Sequence, residues 1–229
     1  MTANKKHSGL STGDFYTEGN SLLLDAVSEL AVKVNTYKKK HDKKSVLFTG
    51  CGGAVGTTMI AVNLAVAFSR SGSRTLLIDA DLRKGSALDN GLRDFFRGKT
   101  ELGGVIRQSN LLNLDFAPSG ARIESPALML CSDRMSEFLK QANNKYEYII
   151  VNSPPVTVFP DAAALFTDVD GIVLVCSLNE TTKKQIERAR EAVSPYADKY
   201  YGMVVNSMIE KQYRKLYTRR DISRRGGQL

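Results

Sequence analysis

FTGCGGAVGTTMIAVNLA, Phe48 to Ala65, opens on an apolar strand-like run, passes through Gly52, Gly53 and Gly56, and continues as an apolar pattern with helical spacing. Glycines between a strand and a helix let successive backbone N–H groups point into one concavity, where the helix dipole adds attraction for phosphate. The spacing matches the phosphate-binding loop G-x-x-x-x-G-K-[ST] with two departures. Cys51 stands at the first glycine and Thr57 at the lysine, while Thr58 keeps the hydroxyl that such loops place on Mg²⁺. A plain strand-to-helix turn would use the same glycines for the bend alone.

Outward from that stretch, short apolar runs alternate with helical patterns: SVLFTG, RTLLIDAD, NLDFAPSG, YEYIIVNS, GIVLVCSL and YGMVVNSM. Strands this continuously apolar are covered on both faces, so the expected fold class is α/β, a doubly wound, mostly parallel sheet with helices on both sides. Before the first strand, Leu23, Ala26, Val27, Leu30 and Val34 recur at three- and four-residue spacings and predict an amphipathic helix. Gly72 is expected to end the helix that follows the loop, and Asp161 to begin another after Pro160. The 229 residues, 42% of them hydrophobic, suit one core. The chain divides into a flexible arm at 1–20, an α/β domain at 21–208 and a basic tail at 209–229.

The formal charge is +8, concentrated in KVNTYKKKHDKK (Lys33 to Lys44) and KQYRKLYTRRDISRR (Lys211 to Arg225). Such runs suit an anionic membrane surface as well as a solvated segment, and charge alone does not point to nucleic acid. Three dispersed cysteines, Cys51, Cys131 and Cys176, suggest neither a disulfide framework nor a zinc site. No apolar run approaches the roughly 20 residues needed to span a bilayer, so a cytoplasmic location is expected, with at most peripheral contact at the inner face of the membrane.

Several segments resemble the bacterial tyrosine kinases that regulate capsule and exopolysaccharide synthesis, a P-loop family related to the Min and Par ATPases. RTLLIDADLRKGS (Arg74 to Ser86) is similar to the family's TLLIDADLRRP, and YEYIIVNSPPV (Tyr146 to Val156) to YDYIIIDTPPV; LDFAPSGARIESPALMLCSDRMSEFL, DAAALFTDVDGIVLV and GMVVN follow in family order. The resemblance implies ATP and Mg²⁺ as cofactors. It implies nucleotide contacts from Gly52, Gly53, Gly56, Thr57 and Thr58, a metal site from Thr58, Asp79 and Asp81, and catalytic roles for Asp79 and Asp81. It also implies a membrane polysaccharide co-polymerase or export protein as partner and tail tyrosines, here Tyr213 and Tyr217, as phosphoacceptors.

Against that pattern the chain departs at functional positions. Thr57 replaces the lysine, Asn152 a carboxylate, and Gly85 a proline; the family's E-x-x-R-x-x-R helix reads Asp25, Ser28 and Ala31 here, without the arginines that contact a neighbouring subunit. Neither Ser nor Ala can imitate an arginine fork, so the family's homo-oligomer is not expected. A catalytically impaired regulator is the expectation. An active autokinase using Arg83 or Lys84 as a relocated cation is the first alternative, and a partition-type ATPase the second, although that branch carries a lysine where Gly52 stands.

Overall fold

The computed structural model describes residues 21–207 except 87, 89 and 179; the basic tail with Tyr213 and Tyr217, and the arm at 1–20, lie outside the described residues. A seven-stranded sheet runs in the order β3-β4-β2-β5-β1-β6-β7. Its strands are β1 Ser45–Gly50, β2 Thr75–Asp79, β3 Arg107–Gln108, β4 Leu114–Ala117, β5 Tyr148–Asn152, β6 Gly171–Ser177 and β7 Tyr200–Asn206. Every pairing is parallel except β3 with β4, an antiparallel edge that the sequence patterns did not reveal. Two residues, Arg107 and Gln108, are too few to show any period.

All the residues of β1, β5 and β6 are buried, which explains their continuous apolar character. On one face lie helices α1 (Ser21–His41) and α2 (Thr57–Arg70); on the other, α3 (Leu92–Phe96), α4 (Leu102–Val105), α5 (Ala127–Leu130), α6 (Asp133–Lys145), α7 (Asp161–Ala164) and α8 (Lys183–Val193). α2 begins at Gly56, whose φ of +86° places it in the left-handed region. It ends at Ser71, and Gly72 follows with φ +90°. The Gly72 amide donates to Ser69 O and the Ser73 amide to Phe68 O, a Schellman closure that only a residue tolerating positive φ completes without strain.

α1 is attached less deeply than its pattern predicts. Val27 and Val34 are buried, but Leu23 and Leu30 are only half covered and Ala26 is exposed above a groove of about 580 Å³ between α1 and the edge strand β7. Aromatic contacts hold the helix instead. Tyr148 donates its hydroxyl to Asn35 Oδ1 at 2.8 Å, takes the Lys38 ammonium 4.0 Å over its ring and stacks on Phe68, while Tyr37 stacks on Tyr201 at 4.1 Å. Asp25 and Ser28 face solvent on this helix.

Candidate functional site: a phosphate cradle beside an amide-carboxylate pair

Parallel strands place all their carboxyl ends on one edge, and the loop after β1 sits at the centre of that edge with β5 and β6 on either side. The loop is braced from below. Cys51 donates its amide to Val175 O at 2.7 Å and accepts from the Thr157 hydroxyl at 3.0 Å. Thr49, buried in β1, donates its hydroxyl to Pro154 O at 2.7 Å and accepts from the Val156 amide at 3.0 Å. Asn206, at the end of β7, reaches across to donate to Val55 O at 2.9 Å. Gly50 is required for close approach: a Cβ there would lie 2.6 Å from Gly52 O and 2.9 Å from Val55 Cγ2.

Among the described residues, none of the N–H groups from Gly52 to Gly56 donates to another backbone carbonyl. An ideal Cβ on Gly53 would meet nothing within 4 Å, so the loop is open to an incoming group there, and Ala54 sits at φ +56°. A 14-residue helix begins at once. Unpaired amides at a helix N-terminus form an anion site, and these residues fit a nucleotide's inner phosphates.

Thr57 lies at the start of α2 with its hydroxyl 3.2 Å from the position of a Cβ on Gly50. It is therefore turned back toward the strand end beneath the loop. Thr58 is exposed. Gln185, on α8, covers the loop from the side: its amide nitrogen would stand 3.0 Å from a Cβ on Gly52, while its oxygen accepts the Thr182 amide at 2.8 Å in a capping box.

One strand away, β2 and β5 bring Asp79 and Asn152 into register. The Asn152 side-chain amide donates to Asp79 Oδ1 at 3.0 Å, and the Asp81 backbone amide donates to the same oxygen at 3.2 Å. Burial pushes the Asp79 carboxyl above the usual carboxylate range, with the Asn152 hydrogen bond acting in the opposite sense. Two carboxylates in these places would repel unless a cation lay between them; an amide opposite a carboxylate is satisfied without one. Asn152 Oδ1, by contrast, is buried and has no hydrogen-bond partner. Asp79, Asp81 and Thr58 are hard oxygen donors that suit Mg²⁺ when phosphate oxygens and water complete its shell. Among the described residues no group of three His, Cys, Asp or Glu side chains gathers as a self-sufficient metal site.

Arg83 is committed elsewhere. Its guanidinium pairs with both oxygens of Asp161, which is fully buried, donates to Glu124 O at 2.7 Å and stacks 4.4 Å over the Phe159 ring. The Asp161 hydrogen bonds raise its pKa further. Gly85, at φ +67° with a Cβ position 2.6 Å from the Arg122 amide nitrogen, can be neither the family's proline nor an L-residue without displacement.

Loop, strand-edge carboxylates and sheet order together define an ATPase-type α/β domain of the phosphate-loop class. The family model described as "AAA domain" matches residues 43–193. The tyrosine-protein kinase YwqD of Bacillus subtilis (strain 168) is 33% identical over 197 residues, 83% of either chain. Among solved structures, the kinase domain of the Escherichia coli tyrosine kinase ETK superposes with a TM-score of 0.76 at 27% identity, covering 81% of this chain and 75% of that one. MinD from Pyrococcus horikoshii OT3, complexed with Mg-ADP, reaches 0.60 at 17% identity over 76% of each chain, a likeness of fold alone. The chain belongs to the AAA-domain family and, within it, to the bacterial tyrosine-protein kinases.

The sequence pointed to the glycines, Thr57, Thr58, Asp79, Asp81 and Asn152, and the structure brings these to one sheet edge. It did not point to Thr49, Gly50, Thr157, Gln185 or Asn206. The available signal was a polar residue inside an otherwise apolar strand, as at Thr49, where a buried hydroxyl must have a partner.

Proposed function

We propose that the chain is a nucleotide-binding regulator derived from a tyrosine kinase, impaired in phosphoryl transfer, that works at the cytoplasmic side of a membrane polysaccharide polymerisation or export protein. The observation that carries this reading is the Asp79–Asn152 hydrogen bond, at 3.0 Å, in a site whose loop has Thr57 at the lysine position. Phosphoryl transfer depends on cations that take up charge as it shifts toward the leaving oxygen. A lysine ammonium at about 4 Å contributes on the order of 4 kcal/mol at an effective dielectric near 20, before desolvation is subtracted. Thr57 supplies none of that, and Asn152 removes one charge that would recruit the metal.

Binding needs less. The amides of Gly52 to Gly56 and the α2 N-terminus remain available to phosphate, with Thr58, Asp79 and Asp81 as the Mg²⁺ ligands. Bound Mg²⁺ would supply charge neutralisation for the phosphates; the chain itself supplies the amide cradle, the braces that hold it and the carboxylates that receive the metal. The partner and the location come from the kinase resemblance. No helix among the described residues is long and apolar enough to cross a membrane. The basic tail could add contact with anionic lipid. The absence of the two arginines from α1 argues against a ring of identical subunits.

The test is repair. Thr57→Lys with Asn152→Asp should raise Mg²⁺-dependent ATP affinity in calorimetry and produce phosphotyrosine on the chain, and the unmodified protein is expected to carry none. Equal phosphotyrosine before and after repair would sink the impaired reading in favour of an active autokinase.

A further inference from the structure

Thr57 and the braced cradle divide the phosphate site into a part that is intact and a part that is missing. In a phosphate loop the backbone amides hold the inner phosphates, and the lysine reaches between the second and third. Here the amides from Gly52 to Gly56 have no backbone partner, and their loop is fixed at Cys51 by Val175 and Thr157 and at Val55 by Asn206. Beside the loop, Asn152 Oδ1 is buried, 4% of the residue being exposed, and lacks a partner, a polar atom left for a ligand or its water.

The outer part lacks the loop lysine. The Thr57 hydroxyl faces back toward Gly50, and Arg83, which follows the Asp79–Asp81 pair in the chain, is held by Asp161, Glu124 O and the Phe159 ring. Freeing it would strand a fully buried carboxylate. What stands at that edge instead is carboxylate, Asp79 and Asp81, whose charge a bound Mg²⁺ would have to offset as well, so a third phosphate adds negative charge without gaining a lysine contact.

We propose that this site reads the two inner phosphates and is blind to the third, binding a nucleoside diphosphate at least as tightly as the matching triphosphate. This rests on the nucleotide-binding reading above and names its ligand class. A chain with this property follows the pool of diphosphate, the product of a kinase reaction, and stays loaded when triphosphate is abundant only in proportion to the two concentrations.

The experiment is isothermal titration of the full chain with ADP and with ATP at equal free Mg²⁺, repeated with Thr57→Lys. The expected result is a ratio of dissociation constants within about threefold of unity or favouring ADP, and a shift of about tenfold toward ATP in the lysine variant, which is close to 1.4 kcal/mol. ATP binding about tenfold or more tighter than ADP in the unmodified chain would overturn the proposal while leaving nucleotide binding in place. Binding of neither nucleotide would overturn both, so the two failures are distinguishable. Should the lysine variant fail to fold in a thermal melt, the ratio measured on the unmodified chain decides.

Discussion

The carboxyl end of β1 and the carboxyl ends of β2 and β5 lie side by side on one sheet edge, yet they tolerate sequence change differently. At β1 the chemistry is made by backbone: amides between Gly52 and Gly56, in a loop held by hydrogen bonds from Thr157 to Cys51 O and from Asn206 to Val55 O. Substituting Cys51 for glycine leaves that arrangement in place, because the Cys51 side chain turns into the core, where burial pushes its thiol up to about 12. At β2 and β5 the chemistry is made by side chains, and one change, Asn152 for a carboxylate, converts a pair that needs a cation into an amide and a carboxylate joined by a hydrogen bond. On the proposed reading, recognition built from amides outlasts substitution, whereas transfer, built from charges, does not.

Four variants break or sharpen that contrast, in falling order of effect. Arg83→Met leaves Asp161 buried without its partner and should cost roughly 3–5 kcal/mol in urea unfolding, since a stranded buried charge is worth far more than the pair. A loss below about 1 kcal/mol would mean that Asp161 finds another partner or a proton. Gly50→Ala forces a Cβ to 2.6 Å from Gly52 O, so the loop must move. It should cost about 1–3 kcal/mol and abolish nucleotide binding, and retained binding would show that the cradle is less fixed than its braces imply. Asn206→Ala removes the donor to Val55 O and leaves a buried carbonyl unpaired. About 1–3 kcal/mol is expected, with weaker nucleotide binding at unchanged metal dependence.

The smallest effect tests the side-chain end. The Asp79 carboxyl is raised by burial, so the folded protein holds a proton more tightly than the unfolded chain. Stability from this group is therefore fully present below the unfolded carboxylate pKa and is lost as pH rises through the folded one. Asp79→Asn should stabilise the chain at neutral pH, and the gain should vanish in acid, as read from melting temperatures across pH 4 to 8 by the sign of that linkage. A gain that persists unchanged at the acid end would assign it to packing instead of charge.

The fold was legible because its strands are short, apolar and separated by helical periods: each of the six apolar runs contains one strand, and the glycine-rich turn lies where β1 meets α2. β3 was not legible, since it pairs through two backbone residues whose side chains carry no pattern. The face of α1 was only partly so. Ala26 satisfies the helical spacing but lies over the groove beside β7, because spacing reports which residues share a face and not how closely that face is packed. At the site, the reacting groups were visible as motif positions, whereas Asp161 was visible only as a helix start. That it is the buried partner of Arg83, 78 residues earlier, depends on the turn after β2 meeting the start of α7.

The most direct measurement is to incubate the chain, at a nucleotide concentration shown by titration to fill the site, with ATP labelled on the third phosphate and Mg²⁺, and to follow label on the protein. Occupied sites with no label on any tyrosine are predicted. Label accumulating on the chain, at Tyr213, Tyr217 or elsewhere, would contradict the account and require a cation that takes the lysine's place.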